Sequence, residues 1–348
     1  MQIVTTLPSA TETVARLGLE PVGVSHECDY PPGVESRPSI TRSRVDARGS
    51  SAEIDRQVLS VTGTDGDGDT DTGVYDVDAE TLEALEPELI VTQGMCDVCA
   101  VDEVVVADAV DQISADPEVL TTDPHTVGDV LDDVERIGRA VGRAGRAVDV
   151  RRRLEERIDR VRERTAGLEP DERPRVAIFD WTDPVMIAGH WTAELVEWAG
   201  GEYGLAGVGD RSQPREWADI REYDPEVVIV GPCGFDLEQV ADNRTDLTER
   251  EGWADLTAVR EGRVWAMDGN HYLNRPGPRL VETLEALARI VQPDRFGDAA
   301  SEAAGDTLEA GDGAVTVDGD TLKVDGEPIA MPFADLTGRL EAGGQPSV

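Results

Sequence analysis

The chain has 348 residues, 39% of them hydrophobic and 4% aromatic, with a formal net charge of −40. That length suits two domains with packed cores, and 72 acidic against 32 basic residues argue against a nucleic-acid or anionic-membrane partner, which such a surface repels. Of the basic residues only Lys323 is lysine; the others are arginine. Abundant Asp and Glu, scarce lysine and few aromatics, spread along the whole chain, match proteins from salt-accumulating (halophilic) microbes. A dense carboxylate surface stays hydrated in molar salt, where a Debye length of about 3 Å screens its self-repulsion. The acidity therefore reports the solvent and says little about the ligand.

The opening Met1-Gln2-Ile3-Val4-Thr5-Thr6-Leu7 has no basic n-region or apolar core, and no cysteine near it could take a lipid. No run of 18 apolar residues predicts membrane insertion. As written the sequence predicts a cytoplasmic protein with Cys28, Cys96, Cys99 and Cys233 reduced, or an extracytoplasmic one if the start is truncated.

Ile3 to Leu7 reads as a short strand, followed by a helix to Leu17 that Gly18 ends, with Ser9 as N-cap and Glu12 completing a capping box. Pro21 to Ser25 is a second strand that enters the polar loop His26 to Pro32. Thr62 to Gly73, nearly all Thr, Asp and Gly, reads as a solvated insertion. Asp78 caps a helix to Glu86, and Leu89 to Thr92 is a buried strand running into Gln93-Gly94-Met95-Cys96-Asp97-Val98-Cys99. Val119 to Thr121 closes a first α/β lobe, residues 1–125. Residues 126–168 are helical, broken near Gly142 and Gly145; Val150, Leu154, Ile158 and Val161 give the second helix one apolar stripe. It is either an ordinary packing helix or a rigid spine between lobes.

The pattern then restarts over 172–297: a strand from Arg175 to Trp181, a helix from Trp191 to Ala199, a strand from Val227 to Val230 entering Gly231 to Phe235, a strand from Val264 to Met267, and a closing helix from Pro278 to Ile290. Asp224-Pro225-Glu226 before one strand echoes Glu86-Pro87-Glu88 before another, which predicts two similar α/β lobes. The tail, 298–348, is acidic and Gly/Asp-rich, with a β-hairpin over Val315 to Val324 as an appendage.

In an open α/β lobe, ligands lie beyond the carboxyl ends of the strands, and most of the eight Cys and His residues fall there. His26 and Cys28 follow the second strand, Cys96 and Cys99 the Leu89 strand, Cys233 the Val227 strand and His271 the Val264 strand. Three readings of the thiols stand open: ligands to a soft transition metal, with His26 and His271 as further donors; a redox dithiol; or small residues lining a pocket wall. Tyr30, Trp181, Trp217, Phe235 and Tyr272 fall in or beside the same loops, where aromatic faces would suit a flat, partly apolar ligand. Trp198 and Trp253 read as core. No Gly-x-Ser-x-Gly elbow, phosphate loop or His-Glu-x-x-His occurs, so hydrolase and nucleotide-enzyme readings are weak.

Leu7-Pro8-Ser9-Ala10-Thr11-Glu12, Pro21 to Ser25, Asp29-Tyr30-Pro31-Pro32, Leu85 to Val91, Leu195 to Gly201 and Trp253 to Arg279 together resemble the substrate-binding proteins of cobalamin and iron-siderophore ABC importers, and the Asp29 to Pro32 stretch most resembles the cobalamin branch. The resemblance implies two α/β lobes joined by a rigid helix, with a ligand cleft between them. It also implies docking on an ABC permease, and no catalytic step. It puts Tyr30 and the loop Gln93 to Cys96, including Met95, on the ligand wall of the first lobe, and Trp217, Tyr272 and Arg275 on that of the second. The expected ligand is cobalamin or another corrinoid, bound by a monomer. A haem or ferric-siderophore binder of the same fold is the alternative, with Arg211, Arg215 and Arg275 facing an anion. A second alternative is a cytosolic metal-handling protein or enzyme using Cys28, Cys96, Cys99 and Cys233.

Overall fold

The structure, a computed structural model, describes residues 1–62, 73–95, 101, 103–296 and 313–336. The Thr/Asp/Gly insertion thus lies almost wholly outside the described residues, as do Cys96 and Cys99. The chain forms two compact α/β units. The first comprises Met1–Glu155 with Pro276–Pro278; the second comprises Glu156–Arg275 and the described residues from Arg279 onward.

The first unit contains β1 (Ile3–Thr5), α1 (Pro8–Arg16), β2 (Thr41–Ser43), α2 (Ser51–Thr62), β3 (Tyr75–Val77), α3 (Ala79–Leu85), β4 (Leu89–Gln93), α4 (Glu103–Val110), β5 (Glu118–Thr122), α5 (Val127–Ala140) and the first half of α6 (Ala144–Thr165). Strands β1, β4 and β5 form a parallel sheet in that order, in register Ile3↔Leu89 and Leu89↔Glu118. Every residue of β4 is buried, as expected of a strand covered on both faces. The stretch predicted as a second strand, Pro21 to Ser25, pairs through single bridges, Val4↔Gly23 and Val24↔Ser39.

The predicted capping box at Ser9 is not formed. Leu7 is the N-cap without a side-chain hydrogen bond, and Pro8 takes the first helical position, where its fixed φ and missing N–H cost nothing. That places Ser9 inside the first turn, where its carbonyl accepts the Thr13 hydroxyl at 2.8 Å. Asp78 does cap α3, accepting the Thr81 N–H at 3.0 Å, and Thr126 with Asp129 forms a capping box on α5. Between α5 and α6 there is one break, at Gly142 (φ 69°), and Gly145 lies inside α6. The two helices meet where a Cβ on Gly138 would come within 2.3 Å of Ala147 Cβ. Gly138→Ala is therefore expected to destabilise the protein by about 1–3 kcal/mol through overpacking, read as a lowered thermal midpoint.

The second unit continues α6 and adds β6 (Val176–Thr182), β7 (Val185–Ile187), α7 (Thr192–Trp198), β8 (Gln213–Pro214), α8 (Trp217–Tyr223), β9 (Val227–Val230), α9 (Leu237–Asp242), α10 (Thr245–Thr248), α11 (Thr257–Arg260), β10 (Val264–Met267), a wide helical turn (Gly269–Leu273), α12 (Leu280–Val291), α13 (Pro293–Phe296), β11 (Val315–Asp318), β12 (Thr321–Val324) and β13 (Glu327–Pro332). Its sheet runs β11-β12-β13-β10-β9-β6-β7-β8. The parallel centre is β10-β9-β6, and Val176 to Phe179 of β6 are fully buried.

Two readings of domain layout change. The division between units falls within α6, after Glu155, so α5 and half of α6 belong to the first unit. The predicted appendage is a three-stranded antiparallel extension whose β13 pairs with β10 in register Ala266↔Met331. Ile329 and Ala330 are fully buried in that seam, so the segment is part of the sheet. The internal echo has a conformational basis: Glu86 after α3 and Asp224 after α8 are both left-handed C-caps (φ 45° and 46°), each followed by proline and then a buried parallel strand.

Candidate functional site

In the first unit the carboxyl ends of β1 and β4 carry a ladder of buried hydroxyls. Thr5 Oγ1 lies 2.6 Å from Thr11 Oγ1, which lies 3.0 Å from Cys28 Sγ, and the Thr6 hydroxyl donates to Thr92 Oγ1 at 2.9 Å. Cys28 is thereby buried, among Val24 and Val34. Gln93, last in β4, is also buried, its Oε1 accepting the Met95 N–H at 2.6 Å; Met95 is half-buried. Tyr30 is half-buried in the loop after Ser25.

His26 opens that loop. Its Nδ1 lies 2.8 Å from Thr41 Oγ1, and the Thr41 hydroxyl donates to Ser25 Oγ at 3.0 Å. Burial holds the imidazole below its ordinary pKa of 6.5. The neighbouring Glu27 Oε1 accepts the Tyr75 hydroxyl at 2.9 Å, and the Tyr75 ring packs at 5.7 Å from the imidazole. Sequence reasoning named His26 but missed Ser25, Thr41 and Tyr75, which reach it across the Val24↔Ser39 bridge and from β3.

In the second unit the ends of β6, β9 and β10 converge. Trp181, half-buried, packs its ring 5.3 Å from that of Phe235, which is buried. The Cys233 N–H donates to Asp180 O at 2.9 Å, and Asn274 Nδ2 ties the two loops by donating to Gly231 O and Gly269 O. His271 is oriented by Asp268, whose two oxygens lie 2.7 Å from its backbone N and from Nδ1. Asp268 precedes His271 by three residues, a spacing visible in the sequence but not singled out there. Tyr272 is buried with the Arg279 guanidinium 4.1 Å from its ring centroid, and burial raises its hydroxyl pKa. Arg275 is buried too, its Nε donating to Asn270 O at 3.0 Å.

Trp217 is half-buried among other rings. It stacks on Trp253 at 6.2 Å, lies under the Arg250 guanidinium at 5.7 Å, and donates its Nε1–H to Glu251 O. Phe179 and Phe333 extend this row, so a residue of the C-terminal extension completes it. Trp253 is buried, as expected of core, whereas Trp198 is half-buried under Arg162. Arg211 and Arg215 line a recess of about 30 Å³ with Ile187, Leu205, Asp210 and Gln213, too small for a macrocycle.

Asp180 was missed by sequence reasoning. It is buried at the end of β6, its Oδ2 bonded to the Ser212 hydroxyl, and desolvation raises its pKa from 3.8 to about 6. Among the described residues no group of three or more His, Cys, Asp or Glu side chains could hold a metal ion. No helix among them is long and apolar enough to cross a membrane.

Comparison with known proteins gives a family and a fold. Residues 3–270 match the periplasmic binding protein family. An uncharacterized ABC transporter substrate-binding lipoprotein of Bacillus subtilis strain 168, YvrC, is 24% identical over 301 residues, 85% of this chain and 81% of its own length. Among solved structures, the periplasmic heme-binding protein RhuT of Roseiflexus sp. RS-1 is similar with a TM-score of 0.61 and 21% identity, over 84% of this chain and 98% of that one. The periplasmic vitamin B12 binding protein BtuF of Vibrio cholerae gives 0.59 and 18%, over 84% and 96%.

Proposed function

Because the chain belongs to the periplasmic binding protein family, we propose that it is the substrate-binding component of an ABC importer and that its ligand is a corrinoid. Proteins of this family bind a substrate and do not transform it, which displaces the reading of the thiols as an enzyme's. What supports the corrinoid is that each unit carries aromatic and imidazole side chains beside its strand ends: Tyr30 and His26 in the first unit, Trp181, Phe235 and His271 in the second. Aromatic faces would bury the apolar surface of the macrocycle, at about 25 cal/mol per Å², and polar groups would set its orientation. Vitamin B12 is the ligand in the name of BtuF, and the name of YvrC marks it as a lipoprotein. Both support a site of action outside the cytoplasmic membrane, beside a permease partner, in place of the cytosolic expectation.

Titrating the purified protein with cyanocobalamin or cobinamide in molar salt is expected to give binding heat and a raised thermal midpoint. Absence of both rejects the corrinoid. The second reading is haem, the ligand in the name of RhuT. A thermal-shift competition between cobinamide, haem and a ferric siderophore separates the classes, and the proposal expects cobinamide to give the largest shift.

A further inference from the structure

We infer that His26 supplies an axial imidazole, through Nε2, to the metal of the bound macrocycle, and that Thr41 and Ser25 hold its ring in the tautomer this requires. The inference rests on the reading of the ligand as a metal-centred macrocycle. Hydrogen bonds assign the proton. The Thr41 hydroxyl donates to Ser25 Oγ at 3.0 Å, so its only proton is committed. The same oxygen accepts the His26 backbone N–H at 3.0 Å and lies 2.8 Å from Nδ1. Having no second proton, it accepts there as well, so Nδ1 carries the hydrogen and Nε2 the lone pair.

This is the arrangement by which an oxygen bonded to one ring nitrogen orients a histidine whose other nitrogen binds a metal. The relay is sheltered, with Ser25 2% and Thr41 6% exposed, while the His26 side chain is 30% exposed. Glu27 Oε1, at 4.0 Å from Nε2, is beyond hydrogen-bond reach, and the Tyr75 ring braces the imidazole plane. A bare ion would need several protein donors, and the described residues present no such group. A metal that brings its own equatorial nitrogens needs only an axial donor, which one oriented imidazole provides.

The test titrates the full chain and its H26A, T41V, T41S and H271A variants with aquocobinamide and with ferric haem, following absorption and binding heat. The wild-type complex is expected to show an imidazole-ligated spectrum. H26A binds the same macrocycle at least about tenfold more weakly, with a water-ligated spectrum that added free imidazole converts back. T41V weakens binding by about tenfold, the lower end for losing the partner that orients a ligating histidine, and T41S, which keeps the hydroxyl, matches wild type. A wild-type complex without the imidazole signature, an H26A spectrum equal to wild type, or loss of the signature in H271A while H26A keeps it overturns the assignment and leaves macrocycle binding standing. No heat and no spectral change with either macrocycle overturns the macrocycle reading and this assignment together.

Discussion

Replacing Arg157 by methionine is expected to lower the stability of the second unit by about 3–5 kcal/mol, the cost of removing one partner from a buried ionic cluster. The guanidinium, on α6, is 3% exposed. It donates to both oxygens of Glu285 at 2.9 and 3.0 Å and to Gly313 O at 2.9 Å, and lies 3.6 Å from Glu282 Oε1. Glu282 is 1% exposed and also accepts from Arg279 Nε at 3.3 Å. Methionine would leave buried Glu282 and partly buried Glu285 with less positive charge beside them, and the Gly313 carbonyl without this donor. The destabilisation should persist in molar salt, because buried charges are screened far less than exposed ones. A triple variant, Arg157→Met with Glu282→Gln and Glu285→Gln, is expected to be more stable than Arg157→Met alone. Urea unfolding of the variants in low and in molar salt checks both points. A triple variant less stable than the single one would mean that mutual attraction, and not stranded charge, carries the effect.

That cluster also shows where the sequence stopped being informative. Elements defined by local signals were legible: the apolar runs of β4, β6 and β9, the Asp78 cap, and the Gly142 break between α5 and α6. So was the repeat of acidic residue, proline and strand, because a left-handed C-cap followed by proline is a short-range device. What joins distant segments left no local trace. Arg157 looked like one more arginine on a polar helix, and Gly313 like one more glycine in an acidic tail, yet they meet through a positive-φ turn (49°) in which a Cβ would lie 2.5 Å from Glu282 Oε1. The Val315 to Val324 hairpin was visible from the Asp318-Gly319 turn, but its attachment through β13 to β10 depends on burial of Ile329 and Ala330, which that turn does not announce.

Candidate-site residues were legible by position and much less by environment. The structure has Trp181 near the end of β6, Phe235 after β9 and His271 after β10, all in one unit, with the Trp181 and Phe235 rings packed together. Strand-end placement could not tell that Trp217, at the start of α8, has its ring covered by Trp253 and Arg250, because both partners come from a different stretch of chain. For His26 the sequence supplied the donor, and only the fold supplied the oxygens of Thr41 and Ser25 that fix its tautomer. Scarcity of aromatics made their positions informative, but a scarce ring is equally in demand for the core.

The stability contributed by the buried carboxyls Asp180 and Asp133 should fall as pH rises from about 4 to about 6, and Asp180→Asn should remove about half of that contribution. Asp180 is buried beside Ser212 and close to the buried Tyr203, whose hydroxyl donates to Ala188 O. Desolvation is the largest influence and raises its pKa from 3.8 to about 6, against the opposing Ser212 hydrogen bond. Well below the ordinary value of 3.8 the carboxyl is protonated in both folded and unfolded chains, so its contribution is fully present. Between the two values the folded chain holds a proton that the unfolded chain has released, and stability declines with rising pH. Above about 6 both states are ionised and the loss is complete, amounting to about 3 kcal/mol for a shift of this size. Asp133 on α5 shows the same direction and value, with desolvation outweighing Arg136 at 2.5 Å, which is why one substitution halves the contribution without abolishing it. Asp180→Asn keeps an oxygen to accept the Ser212 hydroxyl and cannot ionise. Unfolding at several pH values in constant molar salt measures the slope directly; a variant whose slope equals that of the wild type would show that Asp180 ionises in the folded protein as it does in the open chain.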